Sequence, residues 1–210
     1  MEPTILTCEL AVNVNATWDS YLGTTSFDWS KSSVLDTTLV TGGANPRNCR
    51  PRSGWIEVCN AAYGNTGWLG VAQIWVSGGH IAQGTVKVND TYFDTAKYNT
   101  PAWRNLVMCQ EVGHTLGLDH QDESFDNANL GTCMDYTNDP STNQHPNKHD
   151  YDELEAIYSH LDNTTTVGAS TGFLPDAVPS FAPANRVSQS IYRTDLGEGR
   201  TLVTYVVWAD

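Results

Sequence analysis

The chain has 210 residues, 40% of them hydrophobic, 10% aromatic and 17% charged. That composition excludes a disordered chain, and the length leaves room for one core with an extension. A formal net charge of −13 repels phosphate backbones and anionic lipid surfaces, which argues against nucleic acid or a membrane as partner. No apolar run reaches the ~20 residues needed to span a bilayer.

Residues 5–14 favour apolar and β-branched types (Ile5, Leu6, Leu10, Val12, Val14) and read as a strand. Residues 17–33, with Trp18, Tyr21, Leu22, Phe27 and Trp29, read as a helix. Val34–Val40 reads as a second strand. Gly42-Gly43, Pro46, Pro51 and Gly54 make 41–53 a loop. Trp55–Cys59 and Leu69–Val76 follow as strands, and Gly78-Gly79 marks a turn. His80–Val88 alternates Ile81, Gln83, Thr85 and Lys87 with smaller residues, the pattern of an edge or near-edge strand.

Thr100 as cap and Pro101 at the first position start a helix of about 101–116, which Gly117 stops. Residues 118–148 are irregular and rich in Asp, Asn, Gly and Pro; a stretch that long without elements of its own is usually functional. A last core helix covers 150–161, with Asp150 and Glu153 as a capping box and Leu154, Ile157, Tyr158 and Leu161 on one face. The expected organisation is therefore a domain over 1–162, a linker over 163–187 and a hairpin over 188–210. The hairpin, Ile191–Asp195 and Thr201–Trp208 around Gly197-Glu198-Gly199, is too small to stand alone and should dock on the core.

There are five cysteines: Cys8, Cys49, Cys59, Cys109 and Cys133. With few Lys and much Trp, Asn, Thr and Gly, they suggest an oxidising, extracellular setting and a mature secreted form, since no signal peptide is visible. No C-x-x-C pair supports a thiolate zinc site. The preferred pairs are Cys49–Cys59 and Cys109–Cys133, leaving Cys8, although spacing alone does not fix connectivity. Sequons at Asn15, Asn89 and Asn163 carry little weight in so Thr-rich a chain.

The chemistry concentrates at the end of the 101–116 helix. Gln110 and His114 are one turn apart on one face, with Glu111 beside them. That is the geometry of H-E-x-x-H, in which two side chains hold one zinc ion and the glutamate handles water. Gly117 then lets the chain reverse, so that His120 swings back toward the same point. The run Gln110-Glu111-Val112-Gly113-His114-Thr115-Leu116-Gly117-Leu118-Asp119-His120 resembles the metzincin pattern H-E-x-x-H-x-x-G-x-x-H of matrixins, astacins and serralysins. Cys133-Met134-Asp135-Tyr136 resembles that clan's Met-turn, and Tyr136 stands where astacins and serralysins have a tyrosine near the metal. The resemblance covers residues 5–162. It implies an α+β metzincin-like domain, a twisted mixed sheet packed on an active-site helix and a closing helix, with the hairpin as an extension outside it.

The departure is Gln110, a neutral carbonyl donor where the clan has imidazole. Three readings stay open: Gln110 ligates zinc through oxygen; a two-histidine site binds zinc poorly; or the metal is lost and the domain is a binding module. The first leads, because an ionisable Glu111 beside buried histidines has no use in a decaying site. The expected activity is a zinc endopeptidase with Gln110, His114 and His120 as ligands, Glu111 as general base and Tyr136 as hydrogen-bond donor to the oxyanion. Its partner would be an extended peptide or protein lying along strand 80–88, and the chain is expected to be a monomer. His80 is the reserve ligand. Asp119, Asp122, Glu123, Asp126 and Asp135 offer oxygen ligands for calcium but fit no EF-hand spacing, so a solvated acidic loop is the preferred reading.

Overall fold

The computed structural model describes residues 5–159 and 190–209. The expected linker, and His160 and Leu161 at the end of the expected closing helix, lie outside the described residues. One mixed sheet holds seven strands: β1 (Leu6–Asn13), β2 (Leu35–Thr41), β3 (Ile56–Ala61), β4 (Trp68–Ser77), β5 (His80–Asn89), β6 (Ile191–Gly197) and β7 (Arg200–Trp208). The order across the sheet is β2-β1-β3-β5-β4-β7-β6. Strands β2, β1, β3 and β5 run parallel, and β4 is antiparallel to both β5 and β7. The helices among the described residues are α1 (Ala16–Trp29), α2 (Asp90–Phe93), α3 (Pro101–Thr115) and α4 (Lys148–Tyr158). The architecture is α+β, and α1 supplies the crossover that the parallel β1–β2 pair requires.

The main core lies between the sheet and the helices. Ile56, Val58, Val86 and Val88 face Trp18, Leu22 and Trp29 of α1 and Leu106, Val107 and Val112 of α3. Both indoles find acceptors, as buried tryptophans require: Trp18 Nε1 donates to Asp90 at 2.8 Å and Trp29 Nε1 to the Cys109 carbonyl at 3.2 Å. Helix α4 is fastened by its tyrosines. The Tyr151 hydroxyl donates to the Asp28 carbonyl and that of Tyr158 to the Leu116 carbonyl. Cys49–Cys59 and Cys109–Cys133 are disulfides and Cys8 is free, its thiol pushed up to about 12 by burial and the nearby Glu9. Among the described residues no helix is long and apolar enough to cross a membrane.

Two sequence expectations are corrected. Strand β5 is not at an edge: it lies between β3 and β4, bonded to both. Its polar positions Gln83, Thr85 and Lys87 are buried, and Thr85 is in register with buried Glu57 and Gln73 on the neighbouring strands. The alternation therefore reflects a polar row inside the sheet, not a solvent face. The box at the start of α4 is also different. Asn147 caps the Asp150 N–H while the Asp150 carboxylate accepts the Asn147 N–H, one turn before the expected Asp150–Glu153 pair. Asp150 is fully buried there, accepting a further hydrogen bond from Thr132.

Gly113 sits where α3, α1 and the 133–136 turn meet. A Cβ there would lie 2.6 Å from Met134 Sδ and 2.7 Å from the Trp29 ring. The indole is buried and cannot swing aside, so Gly113→Ala should destabilise the fold by roughly 1–3 kcal/mol. Thermal unfolding should register this as a midpoint lowered by about 2–4 °C per kcal/mol. An unchanged midpoint would mean that the helix and the turn are not in such close contact.

Candidate metal centre

Helix α3 is set at both ends by the residues that announced it. The Thr100 hydroxyl accepts the Trp103 N–H at 3.3 Å and Pro101 takes the first turn. At the other end Gly117 adopts φ +95°. The Leu118 N–H reaches the Gly113 carbonyl at 3.3 Å and the Gly117 N–H that of His114 at 3.1 Å, the paired bonds of a Schellman turn. The reversal brings the His120 ring edge-on to His114, with centroids 4.5 Å apart. Gln110 and Glu111 lie on the same buried stretch of helix.

The imidazoles are oriented alike. His114 Nδ1 is 2.9 Å from the Leu118 carbonyl, and His120 Nδ1 is 3.0 Å from the Glu123 carboxylate. A carbonyl and a carboxylate only accept, so each Nδ1 carries the proton and each Nε2 presents a lone pair. Both Nε2 atoms are buried without a hydrogen-bond partner, as are both amide atoms of Gln110 and both carboxyl oxygens of Glu111. Buried polar atoms of native proteins are rarely left so, and such a group calls for a ligand. Burial holds the His114 ring well below the usual histidine range, and the facing His120 adds to this while the Leu118 carbonyl opposes it. Burial likewise pushes the Glu111 carboxyl well above its usual range, offset in part by the backbone of Val207. Glu123 is held below the usual range by the hydrogen bond from His120, against partial burial.

The strand beside the helix makes room for Glu111. Any Cβ at Gly70 of β4 would collide with the Glu111 carboxyl. Below the helix, Met134 is fully buried against Gly113, and the adjacent Cys133 is tied to Cys109 of α3. The turn is braced by the Gln121 N–H on the Met134 carbonyl at 2.8 Å and the Tyr136 N–H on that of Asp122 at 3.1 Å.

Asp135 does not belong to a solvated acidic loop. It is fully buried and accepts the Leu130 N–H at 2.9 Å and the Asn143 amide at 2.8 Å. Among the described residues no set of three or more His, Cys, Asp or Glu converges to hold a metal ion. His114 and His120 make two such donors, and Gln110 stands one helical turn before His114 on α3. His80 opens β5 opposite Ser77 at the glycine turn, and the ring contacts of His114 and His120 are with each other, Tyr136 and Tyr205.

Tyr136 packs 4.4 Å from the His120 ring, but its hydroxyl donates to the Val206 carbonyl of β7 at 2.8 Å. Burial raises this phenol well above its usual range; a hydrogen bond with the Ser190 side chain opposes that rise. Sequence reasoning missed Tyr205. Its ring lies flat on His114, with centroids 4.2 Å apart and planes 5° from parallel. The available signal was the alternation Val203, Tyr205, Val207, which puts one apolar and aromatic face of β7 toward whatever the hairpin covers. Set against known proteins, the chain matches no family model and no curated protein sequence, so a functional reading rests on this geometry and on the motif.

Proposed function

We propose that the chain is a secreted zinc-dependent endopeptidase of metzincin type. The observation that carries the reading is the pair of facing imidazoles, 4.5 Å apart, whose Nε2 atoms are buried without a partner while both Nδ1 atoms are tied down, with the unpartnered amide of Gln110 one helical turn before His114. These donors suit zinc, which accepts imidazole nitrogen and harder oxygen together. When bound, zinc would supply Lewis acidity and lower the pKa of water toward ~7. Two disulfides agree with an extracellular setting.

The residues then divide the reaction among themselves. Glu111, against β4 at Gly70, takes the proton from the attacking water and returns it to the leaving amine. Leu118 and Glu123 hold the two rings in one tautomer. Tyr136, whose ring packs on His120, would donate to the developing oxyanion only after its hydroxyl leaves the Val206 carbonyl. The peptide would not lie along β5, which is bonded to β3 and β4; β4 is likewise bonded on both sides, to β5 and β7, so a peptide would pair with β4 only in the place that β7 now holds.

The rival reading is a peptidase-shaped binding module without activity. It draws on the closure of the site, since Glu111 and His114 have no exposed surface. Zinc analysis and cleavage of an unstructured protein separate the two. The enzyme predicts about one zinc per chain and chelator-sensitive cleavage that falls at least ~100-fold in Glu111→Gln with zinc content unchanged. Full zinc occupancy with no cleavage under any condition would sink it. Gln110→His tests the third donor separately. If the amide oxygen is a ligand, zinc affinity should rise on replacement by imidazole, measured by competition with a chromogenic chelator. An unchanged affinity would remove Gln110 from the ligand set.

A further inference from the structure

The hairpin is built into the site. Strand β7 pairs antiparallel with β4 from Ser77↔Arg200 to Trp68↔Trp208, along the side of β4 away from β5. Every residue from Leu202 to Trp208 is buried, whereas β6, the outer strand, is exposed or half-buried. The hairpin's hold on the core is therefore the hold of β7. Its inner face meets the candidate metal centre at three points. Tyr205 stacks on His114, the same ring faces His120 at 6.4 Å, and the Val206 carbonyl takes the Tyr136 hydroxyl. On the opposite face Val206 and Trp208 pack with Trp68 and Val71.

We propose that β7 is an internal peptide ligand of the β4 edge, so that the folded chain is latent and admits an extended peptide antiparallel to β4 only when the hairpin moves away. An extended segment on that edge satisfies the β4 backbone and lays alternate side chains over the metal centre, as a substrate strand would. The contact at Tyr136 is with a backbone carbonyl of β7, which any peptide offers. The segment is therefore a generic competitor for the edge, and its advantage is that it is tethered. What the cover controls rests on the peptidase reading; that it covers the two histidines does not.

The test uses the full chain in three forms. Val71 and Val206 are cross-strand partners, and the Val206 N–H bonds to the Ser190 carbonyl on the β6 side. They thus form a pair not hydrogen-bonded between β4 and β7, and Val71→Cys with Val206→Cys should lock the hairpin by a disulfide. Val206→Cys alone is the control. Val203→Pro, which lacks a backbone donor inside the sheet, should loosen the hairpin. The first readout is the rate at which diethylpyrocarbonate modifies His114 and His120 in the metal-depleted protein, followed by mass spectrometry. Relative to the control, the locked form should react at least ~10-fold more slowly and the loosened form ~10-fold faster, since reaction follows local opening.

The second readout is cleavage of a fluorogenic peptide with zinc added, which should rise in the same order. Equal histidine reactivity in the three forms would overturn the inference, as would a locked form that cleaves as fast as the loosened one. Reactivity that follows the lock while no form cleaves would leave the cover standing and dismiss the peptidase reading. Should Val203→Pro fail to fold, the locked form against its control still decides the matter.

Discussion

The structure turns on the C-terminal two-thirds of α3, which has no solvent face. From Leu106 to Leu116 every residue of α3 and its cap is buried, yet that run includes Gln110, Glu111, His114 and Thr115. A helix hydrophobic all round can simply be enclosed; one carrying polar groups must supply each with a partner. Thr115 solves this locally, its hydroxyl donating to the Val112 carbonyl at 2.7 Å. His114 and His120 solve half of it through Nδ1. The Nε2 atoms of the two paired rings, the Gln110 amide and the Glu111 carboxyl, which lies against Gly70 of β4, are left without a hydrogen-bond partner.

The surroundings of these groups are shaped by residues with nothing to spare. Gly70 lacks the Cβ that would strike Glu111, and Gly113 lacks the one that would strike Met134 and Trp29. Gly117 takes a left-handed conformation that a side chain would strain. The three glycines do different things: the first makes space for a carboxyl, the second lets the helix settle on its floor, the third turns the chain so that His120 returns. The Cys109–Cys133 disulfide joins helix to floor covalently between them.

The spacing of 110–120 was legible because every requirement in it is local: a helical turn between Gln110 and His114, a stop at Gly117, a short return to His120. The caps at Thr100 and Gly117 were legible for the same reason, whereas the two disulfides match the preferred pairs although spacing alone did not fix them. What the sequence did not disclose was lateral. The alternation of β5 is the same whether its polar side faces water or a row of Glu57 and Gln73, and only the neighbours decide. The place of the hairpin was hidden likewise. Docking was expected because a lone hairpin is marginal, but nothing within 188–210 names β4 as its partner. Tyr205 was passed over because its role depends on that partner. In α4 the cap was misplaced by one turn because Asn147 and Asp150 compete with Asp150 and Glu153 under one pattern.

The unpartnered atoms also say what kind of occupant would suit the site. With both Nδ1 atoms protonated, His114 and His120 offer only lone pairs from Nε2, and Gln110 can turn its carbonyl the same way. A buried acceptor left unmet costs about 1–3 kcal/mol. The tyrosine ring of β7 cannot answer them, because its stacking on His114 covers the ring face and leaves Nε2 as it was. An anion would add to the mismatch. A cation would suit the lone pairs of the two facing imidazoles and, beside them, would draw Glu111 back toward its charged form, against the burial that raises it. The cover and the ion thus answer different needs. Strand β7 completes the β4 edge and lays Tyr205 on His114, while the Nε2 atoms of the two histidines stay without a partner. That division is why the latent metallopeptidase we propose would account for both halves of the arrangement, where a binding module would account only for the closure.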